Sequence, residues 1–357
     1  MKIGILSMQQ IKNYGSFLQA FSLKKNIENL GHSCEFINIE PGIQLDGYKQ
    51  KRGERIRVLI TRLWGIDFLK RLKYIYKFQT RFSKEFLPYL GVKNTSEDKN
   101  YDTVVIGSDE VFNVAQSTWW GFSKQLFGHG LNSDKVISYA GSFGATTIEK
   151  LEKLGIKEDI SCLMSNMDAI SVRDRNSYEV ASTLTDKSIS LNVDPVFIFD
   201  YDQYMPSKVD LNDYIIVYTY PGRIKEKSEI QEIVRFAREK KKKLVSIGHY
   251  FPWCDMTLVP SPFEVLAYFR QASYIITDTF HGTIFSIKYN KPFCTIVRGM
   301  NNNKLTYLLE QFKLADREVK AIDSISEILN TPIDYMIVNN IIKEEKDKSI
   351  EYLRNNL

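Results

Sequence analysis

Short apolar runs alternate with segments of helical periodicity along most of the chain. This pattern is typical of an α/β protein built on parallel strands. The first example is a strand predicted over residues 2–8, followed by a helix over 17–30 and a second strand over 34–39. A similar series occupies the second half of the chain. The pattern therefore predicts two Rossmann-like domains, at residues 1–200 and 201–315.

Two segments stand apart from this alternation. Residues 316–357 have the pattern of helices with charged faces, and we expect them to pack back on the first domain. Residues 48–90 are rich in Lys, Arg and aromatic residues, which predicts an insertion of one or two amphipathic helices into the first domain. Such a helix either lies on an anionic bilayer surface or presents a solvated face over a packed stripe, and both alternatives remain open.

The composition is that of a soluble globular protein, with 43% hydrophobic and 25% charged residues and a net charge of +5. This charge suits an anionic substrate or an acidic membrane surface. It argues only weakly for nucleic acid, and because no nucleic-acid-binding motif accompanies it, we expect no nucleic-acid partner. No apolar run approaches the about 20 residues of a membrane span, and we find no signal peptide.

The four cysteines are scattered along the chain and include no CxxC pair. Neither a structural zinc site nor a disulfide framework is therefore indicated, and a reducing cytoplasm is the simplest compartment. We expect the protein to use no metal. These cysteines are Cys34, Cys162, Cys254 and Cys294.

The strongest candidate for chemistry is a turn at residues 278–282, between a strand predicted over 274–277 and a helix over 283–289. In an open α/β sheet, such a turn lies at the carboxyl end of a strand, where ligands bind. It also faces the first amides of a helix, which favour an anion. His281 in this turn is able to accept and donate a proton beside an anion. The alternative is that His281 only caps the helix or bonds to a backbone carbonyl.

Strand ends in the first half deliver further polar residues to one edge of the sheet. Asp109 suits hydrogen bonds from sugar-like hydroxyls, and the guanidinium of Arg173 suits a carboxylate or a phosphate. The alternative for Arg173 is an ion pair with Asp174 or Asp194. The loop after the first strand lacks both GxGxxG and a Walker lysine, which argues against a dinucleotide or P-loop site. The other residues are Asn13 and Tyr14, which either contact a ligand or form a turn, and Ser142.

An ordered set of motifs over about residues 10–305 resembles the polysaccharide pyruvyl transferase family. Thr279 stands where the family usually has Ser, and Phe112 where Trp is common. The motifs are Asn13-Tyr14-Gly15, Gly107-Ser108-Asp109, Ser138-Tyr139-Ala140 with Ser142-Phe143-Gly144, Ser171-Val172-Arg173-Asp174, Asp194-Pro195, Ser261-Pro262 with Glu264, and Asp278-Thr279-Phe280-His281-Gly282 leading to Lys291-Pro292-Phe293.

The resemblance implies a GT-B-like fold in which two Rossmann-like domains face each other across a cleft. It implies transfer of the enolpyruvyl group of phosphoenolpyruvate to sugar hydroxyls of a cell-surface polysaccharide or its lipid-linked precursor, with release of phosphate and no cofactor. The family's carboxylate-binding arginine matches Arg173, and its catalytic histidine matches His281.

Further site residues follow from the same resemblance. The donor phosphate is expected at the amides of Gly282 and Thr283 and at a basic residue that matches Lys304, with Arg298 and Lys291 as rivals. The acceptor is expected against the first domain, near Asn13, Tyr14, Gly15, Asp109 and Ser142. Substitution of His281 or Arg173 by alanine is expected to abolish phosphate release and leave the protein folded.

Two other functions remain open from the sequence. The first is a GT-B glycosyltransferase that uses a nucleotide sugar, because the fold would be the same. The second is a non-catalytic sugar-binding protein. The basic aromatic segment 48–90 adds the hypothesis of peripheral contact with the inner face of the membrane, where a lipid-linked oligosaccharide acceptor is presented.

Overall fold

A computed structural model describes residues 1–45, 66–92, 99–114, 118–299 and 302–357. Residues 48–65 of the predicted insertion lie outside the described residues. The described residues form two compact units. The first draws on Met1–Arg52, Leu87–Phe199 and Ile342–Leu357, and the second on Gly53–Phe86 and Asp200–Ile341.

The first unit is built on a parallel six-stranded sheet in the order β2-β1-β3-β4-β5-β6. Its strands are rich in β-branched residues, and the central ones are buried on both faces, as expected of parallel strands covered by helices. The order reverses between β1 and β3, since β2 lies on one side of β1 and β3 on the other. The strands are β1 (Lys2–Leu6), β2 (Ser33–Phe36), β3 (Tyr101–Asp109), β4 (Ser133–Gly141), β5 (Ile170–Val172) and β6 (Ile189–Leu191).

Helices connect these strands, and the first of them begins three residues earlier than predicted. Helix α1 starts at Tyr14 because the side chain of Asn13 caps it, accepting a hydrogen bond of 2.7 Å from the Gly15 amide. The helices described between α1 and β7 are α1 (Tyr14–Asn29), α2 (Ile66–Arg81, in the second unit), α3 (Leu87–Leu90), α4 (Ile148–Lys153), α5 (Lys157–Ser165), α6 (Arg175–Leu184) and α7 (Pro195–Ile198).

One predicted helix of the first unit differs in the structure. The pattern over residues 148–164 predicts a single helix, but the structure has two, because Gly155 adopts φ 66° and ends the first one. The apolar run 188–199 contains both a strand and a helix. Only β6 is extended, and Asp194 then caps the short helix α7 with Pro195 as its first residue.

The second unit carries a parallel five-stranded sheet in the order β11-β10-β7-β8-β9. This order also reverses at its first strand, between β7 and β10. Strand β9 was missed in the sequence because it is short and partly exposed. The strands are β7 (Tyr214–Tyr218), β8 (Lys243–Ile247), β9 (Met256–Leu258), β10 (Tyr274–Thr277) and β11 (Phe293–Thr295).

The spacing of Ser261-Pro262-Phe263-Glu264 predicts a capping box with Pro at the first helical position, and the structure confirms it. The Glu264 side chain accepts a hydrogen bond from the Ser261 amide at 2.6 Å, and the Ser261 hydroxyl accepts one from the Glu264 amide at 3.3 Å. The helices of this half are α8 (Lys227–Glu239), α9 (Pro262–Gln271), α10 (Phe280–Lys288), α11 (Asn302–Gln311), α12 (Ile325–Asn330) and α13 (Tyr335–Asn356).

Helix α2, the described part of the basic aromatic segment, belongs to the second unit and not to the first domain. The Tyr74 ring stacks on that of Tyr250, with centroids 5.6 Å apart, and the Phe78 ring lies 5.7 Å from that of His249. Arg81 donates a hydrogen bond to the backbone carbonyl of Val259. One face of the helix is thus packed.

The C-terminal region divides between the two units. Residues up to Ile341 complete the second unit, where the buried Arg317 donates to the carbonyls of Ile328 and Thr331 at 2.7 and 2.9 Å. The final part of α13 packs on the first unit, as predicted for the C-terminal helices. There the Tyr352 hydroxyl donates to the Ser138 carbonyl at 2.8 Å.

Candidate active site

The edge of the first sheet at the carboxyl ends of β1 and β3 is where its strand order reverses, and such a point is the usual place for a ligand crevice. Asp109 ends β3 there, with φ 75°. Its carboxylate accepts one hydrogen bond from the Ser16 hydroxyl and one from the Arg173 guanidinium, both at 2.9 Å. Asp109 and Arg173, which were predicted to bind acceptor and donor, are therefore in direct contact.

Arg173 is enclosed by carboxylates. Its Nη1 donates to Oδ2 of Asp194 at 2.7 Å, and its side chain is only 1% exposed. The ion pair with Asp194 that the sequence left as an alternative is therefore present. Burial lowers the pKa of Arg173, but Asp109 and Asp194 outweigh burial, and the pKa is raised above its ordinary value.

The other predicted acceptor contacts lie on the same edge. Ser142 is fully buried, and its hydroxyl donates to Asp174 at 2.6 Å. Asp174 in turn caps α6 by accepting from the Ser177 amide. Tyr14 is buried in the first turn of α1, whereas Asn13 before it is partly exposed. Of these residues, Asn13 is the most accessible to a ligand.

A buried polar group beside Asp109 was missed in the sequence. Gln19 accepts a hydrogen bond from the Ser108 hydroxyl at 2.5 Å and donates to the Ser7 hydroxyl at 2.9 Å. The signal was the spacing of Ser16 and Gln19, which are three residues apart on a helix and so share one face. This network ties the ends of β1 and β3 to α1.

In the second unit, the corresponding reversal lies between β7 and β10, and His281 stands at its edge. Helix α10 starts at Phe280 and not at Thr283, because Thr279 caps it by accepting from the Gly282 amide at 3.0 Å. His281 is thus the second residue of the helix, 7% exposed, with its ring between those of Phe280 and Phe285 at 5.7 and 6.1 Å. It lies in the first turn, as an anion site requires.

The two amides predicted to hold phosphate already have partners within α10. The Gly282 amide donates to Thr279, and the Thr283 amide donates to the Thr279 carbonyl at 3.1 Å. A Cβ atom at Gly282 would lie 2.3 Å from Oγ1 of Thr277, so the close approach of helix and strand requires glycine. An anion at the Gly282 amide therefore competes with the Thr279 cap.

The three basic candidates for phosphate lie at different edges of the second sheet. Lys291 precedes β11 and is therefore at the amino edge, where its ammonium donates to the Arg270 carbonyl at 3.0 Å and burial lowers its pKa. Arg298 follows β11 and is at the carboxyl edge. The Lys304 ammonium lies 5.8 Å from the centre of the Phe280 ring. Arg298 and Lys304 are thus on the side of His281, and Lys291 is not.

Two polar residues at this edge were not assigned a role from the sequence. Arg223 follows β7 and donates from Nη1 to the Asp278 backbone carbonyl at 3.2 Å. The Asp278 side chain is buried, with Oδ1 3.9 Å from Nη1 of Arg223. Burial raises the pKa of Asp278, and Arg223, Thr219 and Arg298 offset only part of this rise. The sequence feature that could have pointed to Arg223 is its position directly after Pro221-Gly222, at the end of a predicted strand.

Within the described ranges, no group of three or more His, Cys, Asp or Glu side chains is arranged to hold a metal ion. In the same residues, no helix is both long and apolar enough to cross a membrane. The four cysteines are free thiols.

The two parallel sheets and their helices define a GT-B-type protein, and solved structures agree. UGT89C1 of Arabidopsis thaliana complexed with quercetin has a TM-score of 0.52 at 8% identity, over 99% of this chain and 98% of that chain. The same protein complexed with UDP-L-rhamnose has a TM-score of 0.51 at 10% identity, over 99% and 98%. The family model of polysaccharide pyruvyl transferases matches residues 13–299, and the chain belongs to this family. No curated protein sequence matches the chain.

Proposed function

We propose that this protein transfers the enolpyruvyl group of phosphoenolpyruvate to two hydroxyls of a sugar, forming a pyruvate ketal and releasing phosphate. The observation that carries the proposal is His281, which occupies the first turn of α10 at the strand-order reversal of the second sheet. Membership of the polysaccharide pyruvyl transferase family supports a glycan acceptor. Phosphoenolpyruvate is the donor that the reaction class requires.

The chemistry needs one proton donor and no change of oxidation state. Protonation of the donor methylene makes the adjacent carbon electrophilic, and an acceptor hydroxyl adds to it and loses its proton. The C–O bond to phosphate then breaks, and a second hydroxyl adds to the same carbon to close the ketal. His281 is the group we assign to proton transfer, a role worth about 10²–10⁴-fold in rate.

We also propose that Arg173 binds the donor carboxylate. This requires that one of its present contacts be displaced. Its guanidinium already faces two carboxylates, so a third would be repelled unless one of them is displaced. Asp109 is the more exposed partner, at 12% against 1% for Asp194. We therefore propose that the donor carboxylate replaces Asp109 on Arg173. The released Asp109 carboxylate then accepts a hydrogen bond from an acceptor hydroxyl.

The acceptor is proposed to be lipid-linked, with the protein in the cytoplasm at the inner face of the membrane. The support is the outward face of α2. Leu69, Leu72 and Tyr76 follow helical spacing, and Leu69 and Tyr76 are 68% and 73% exposed. Lys73 and Lys77 are exposed beside this stripe. The opposite face carries Tyr74 and Phe78, which pack on the second unit.

An apolar stripe beside lysines on an anchored helix is complementary to an anionic bilayer surface. We expect the full-length protein to cosediment with vesicles that contain phosphatidylglycerol, and less with vesicles of phosphatidylcholine alone. The double substitution Leu69→Ser with Tyr76→Ser should weaken this binding about tenfold, since it removes most of the apolar contact.

The matched control is Met336→Ser with Ile337→Ser, which removes two exposed apolar side chains from α13 of the same unit. This variant should bind vesicles as the unsubstituted protein does. Binding that is independent of anionic lipid, or equal in the two double variants, would remove the membrane from the proposal. The membrane would likewise be removed from the proposal if the α2 stripe bound a partner protein and not vesicles.

The function itself is tested by incubating the protein with phosphoenolpyruvate and a panel of lipid-linked and aryl sugars while phosphate is measured. We expect phosphate release that depends on the sugar. A nucleotide-sugar transferase would instead transfer sugar from a nucleotide donor and leave phosphoenolpyruvate intact. A non-catalytic sugar-binding protein would bind the acceptor and release nothing from either donor.

A further inference from the structure

We propose that Arg223, together with Arg298, binds the phosphate group of the donor, so that two arginines flank the edge that carries His281. The identity of the donor rests on the proposed function, but the binding of a phosphate group does not. Arg223 was not among the residues that the sequence pointed to.

The order of strands brings these residues to one edge. Strand β10 lies between β11 and β7, and all three are parallel. Arg298 follows β11, Asp278 and His281 follow β10, and Arg223 follows β7. The reversal of strand order lies between β10 and β7, which is the usual position of a ligand crevice in an open parallel sheet. Arg223 is therefore at the crevice, beside the turn that leads to His281.

Contacts at this edge fix the two arginines relative to one another. Arg298 donates from Nη1 to the Arg223 carbonyl at 3.3 Å and from Nη2 to Glu229 at 2.6 Å. Arg223 donates to the Asp278 carbonyl, three residues before His281. These bonds link the exits of β7, β10 and β11 through backbone atoms.

The accessibility of these guanidinium groups distinguishes them from the structural arginines. The side chains of Arg223 and Arg298 are 36% and 34% exposed, whereas those of Arg173 and Arg317 are 1% exposed. A half-exposed guanidinium is able to meet a ligand without the loss of a buried ion pair. The two arginines therefore retain donors for a bound group.

The charge of Arg223 is only weakly offset by the protein. Its hydrogen bond goes to a neutral carbonyl, and the nearest Asp278 oxygen, at 3.9 Å, is beyond hydrogen-bond distance. Burial also raises the pKa of that carboxyl. The Tyr220 ring lies 4.7 Å from the guanidinium carbon, so the planar group is held against an aromatic face. A planar fork that is held against a ring and whose charge is only weakly offset is suited to a phosphate dianion.

The test uses the full-length protein, with inorganic phosphate as the probe and isothermal titration calorimetry as the measurement. We expect Arg223→Gln to bind phosphate about 10- to 100-fold more weakly than the unsubstituted protein, the range expected for a hydrogen bond to a charged group. The phosphate affinity of Arg223→Lys should lie between those of these two proteins, because lysine keeps the positive charge and lacks the planar, forked set of N–H donors.

The control is Arg235→Gln on α8, in the same unit, where the guanidinium is exposed and paired with Glu232 and Glu239. It should bind phosphate as the unsubstituted protein does. Phosphate release from phosphoenolpyruvate is measured on the same four proteins, and Arg223→Gln should raise KM for phosphoenolpyruvate by a similar factor.

The outcomes separate this site from the proposed reaction. Equal phosphate binding by Arg223→Gln and Arg235→Gln, or no binding by any of the proteins, overturns the site even if phosphoenolpyruvate is turned over. Phosphate binding that depends on Arg223, without release from phosphoenolpyruvate with any sugar, supports the site and contradicts the proposed reaction. In that case, titration with UDP and with a UDP-sugar tests a nucleotide donor at the same arginines.

Discussion

The carboxyl edges of the two sheets present arginine in opposite ways. At the first edge, Arg173 is buried and paired with both Asp109 and Asp194. At the second, Arg223 and Arg298 are half-exposed and are held mainly by backbone carbonyls and Glu229. Both edges lie at a reversal of strand order. Position in the fold therefore does not decide the role of an arginine, and its partners and exposure do.

The contrast between the two edges suggests a different binding role for each in the proposed site. At the first edge the charges are paired within the protein, so a donor carboxylate has to displace Asp109 in order to reach Arg173. The second edge keeps positive charge available beside a histidine. We therefore propose that the donor phosphate binds to the second unit, and that the donor carboxylate and the hydroxyl acceptor bind to the first.

The largest expected effect is on turnover, at the second edge. His281→Gln should reduce phosphate release from phosphoenolpyruvate by about 10²–10⁴-fold, because glutamine cannot transfer the proton. His129→Gln, on an exposed position of the first unit, is the control and should leave the rate unchanged. Turnover by His281→Gln close to the unsubstituted rate would remove proton transfer from His281.

The next effect is on stability, at the first edge. Arg173→Met leaves two buried carboxylates without their counter-ion and should lower the free energy of unfolding by about 3–5 kcal/mol in urea denaturation. The prediction from the sequence that Arg173→Ala leaves the protein folded is thus replaced by an expected loss of stability, and the predicted loss of phosphate release is kept. Arg223→Met should lower this free energy by less than about 1 kcal/mol, because a half-exposed pair contributes little.

The triple variant Arg173→Met, Asp109→Asn, Asp194→Asn checks the cause of that loss. Removal of both carboxylate charges should restore a large part of the stability, since no uncompensated charge remains buried. Equal losses for Arg173→Met and Arg223→Met would erase the distinction between the two edges.

A third prediction concerns pH and the packing of α2. Burial, and to a lesser extent Arg71, lowers the pKa of His249 to about 4. The unfolded chain therefore binds a proton near pH 6.5 that the folded protein excludes, and stability should fall as the pH drops from about 6.5 to 4. The loss is roughly 3–4 kcal/mol, from a pKa lowered from 6.5 to about 4 at about 1.4 kcal/mol per pKa unit.

The variant His249→Phe keeps an aromatic ring between those of Phe78 and Tyr220 and removes the titration. Its unfolding free energy, measured by urea denaturation at several pH values, should lack this part of the decline. Parallel pH profiles for the two proteins would show that His249 is not the group responsible.

The smallest effect is expected at Asp278. Because burial raises the pKa of this carboxyl, the ionised form is disfavoured in the folded protein. Asp278→Asn should therefore raise the free energy of unfolding at pH 8, because the folded protein no longer has to bury an ionised carboxylate. The gain should disappear below about pH 4, where the carboxyl is protonated in both folded and unfolded chains. A variant that is less stable at pH 8 would mean that the Asp278 charge is well compensated.

The order of strands and helices was largely predictable because apolar runs and caps are local signals. Strand β10 has the predicted bounds, and the capping box at Ser261 was found from spacing alone. Helix starts were misplaced where a capping side chain precedes the apolar pattern, as with Asn13 and Thr279. The division of α4 from α5 depended on the backbone conformation of Gly155, which a helical pattern does not reveal.

The positions of the candidate residues at strand ends were predicted from the sequence, but their pairings were not. Asp109, Arg173 and His281 could be placed at strand ends because each follows a predicted strand, and the carboxyl ends of parallel strands lie at the same edge of their sheet. The sequence did not reveal that Arg173 is shared by Asp109 and Asp194, since the three residues are far apart in the chain. Arg223 was missed for the same reason: its partner, the Asp278 carbonyl, belongs to a neighbouring strand that is distant in sequence.

The central claim is that the second edge carries a reaction of phosphoenolpyruvate with a sugar. The most direct measurement is mass spectrometry of a lipid-linked or aryl sugar after incubation with phosphoenolpyruvate, combined with phosphate determination, for the unsubstituted protein and His281→Gln. We predict a pyruvate ketal on the sugar and an equimolar amount of phosphate with the unsubstituted protein, and neither with His281→Gln. Unchanged sugar and intact phosphoenolpyruvate across the panel, or ketal formed equally by both proteins, would contradict the account.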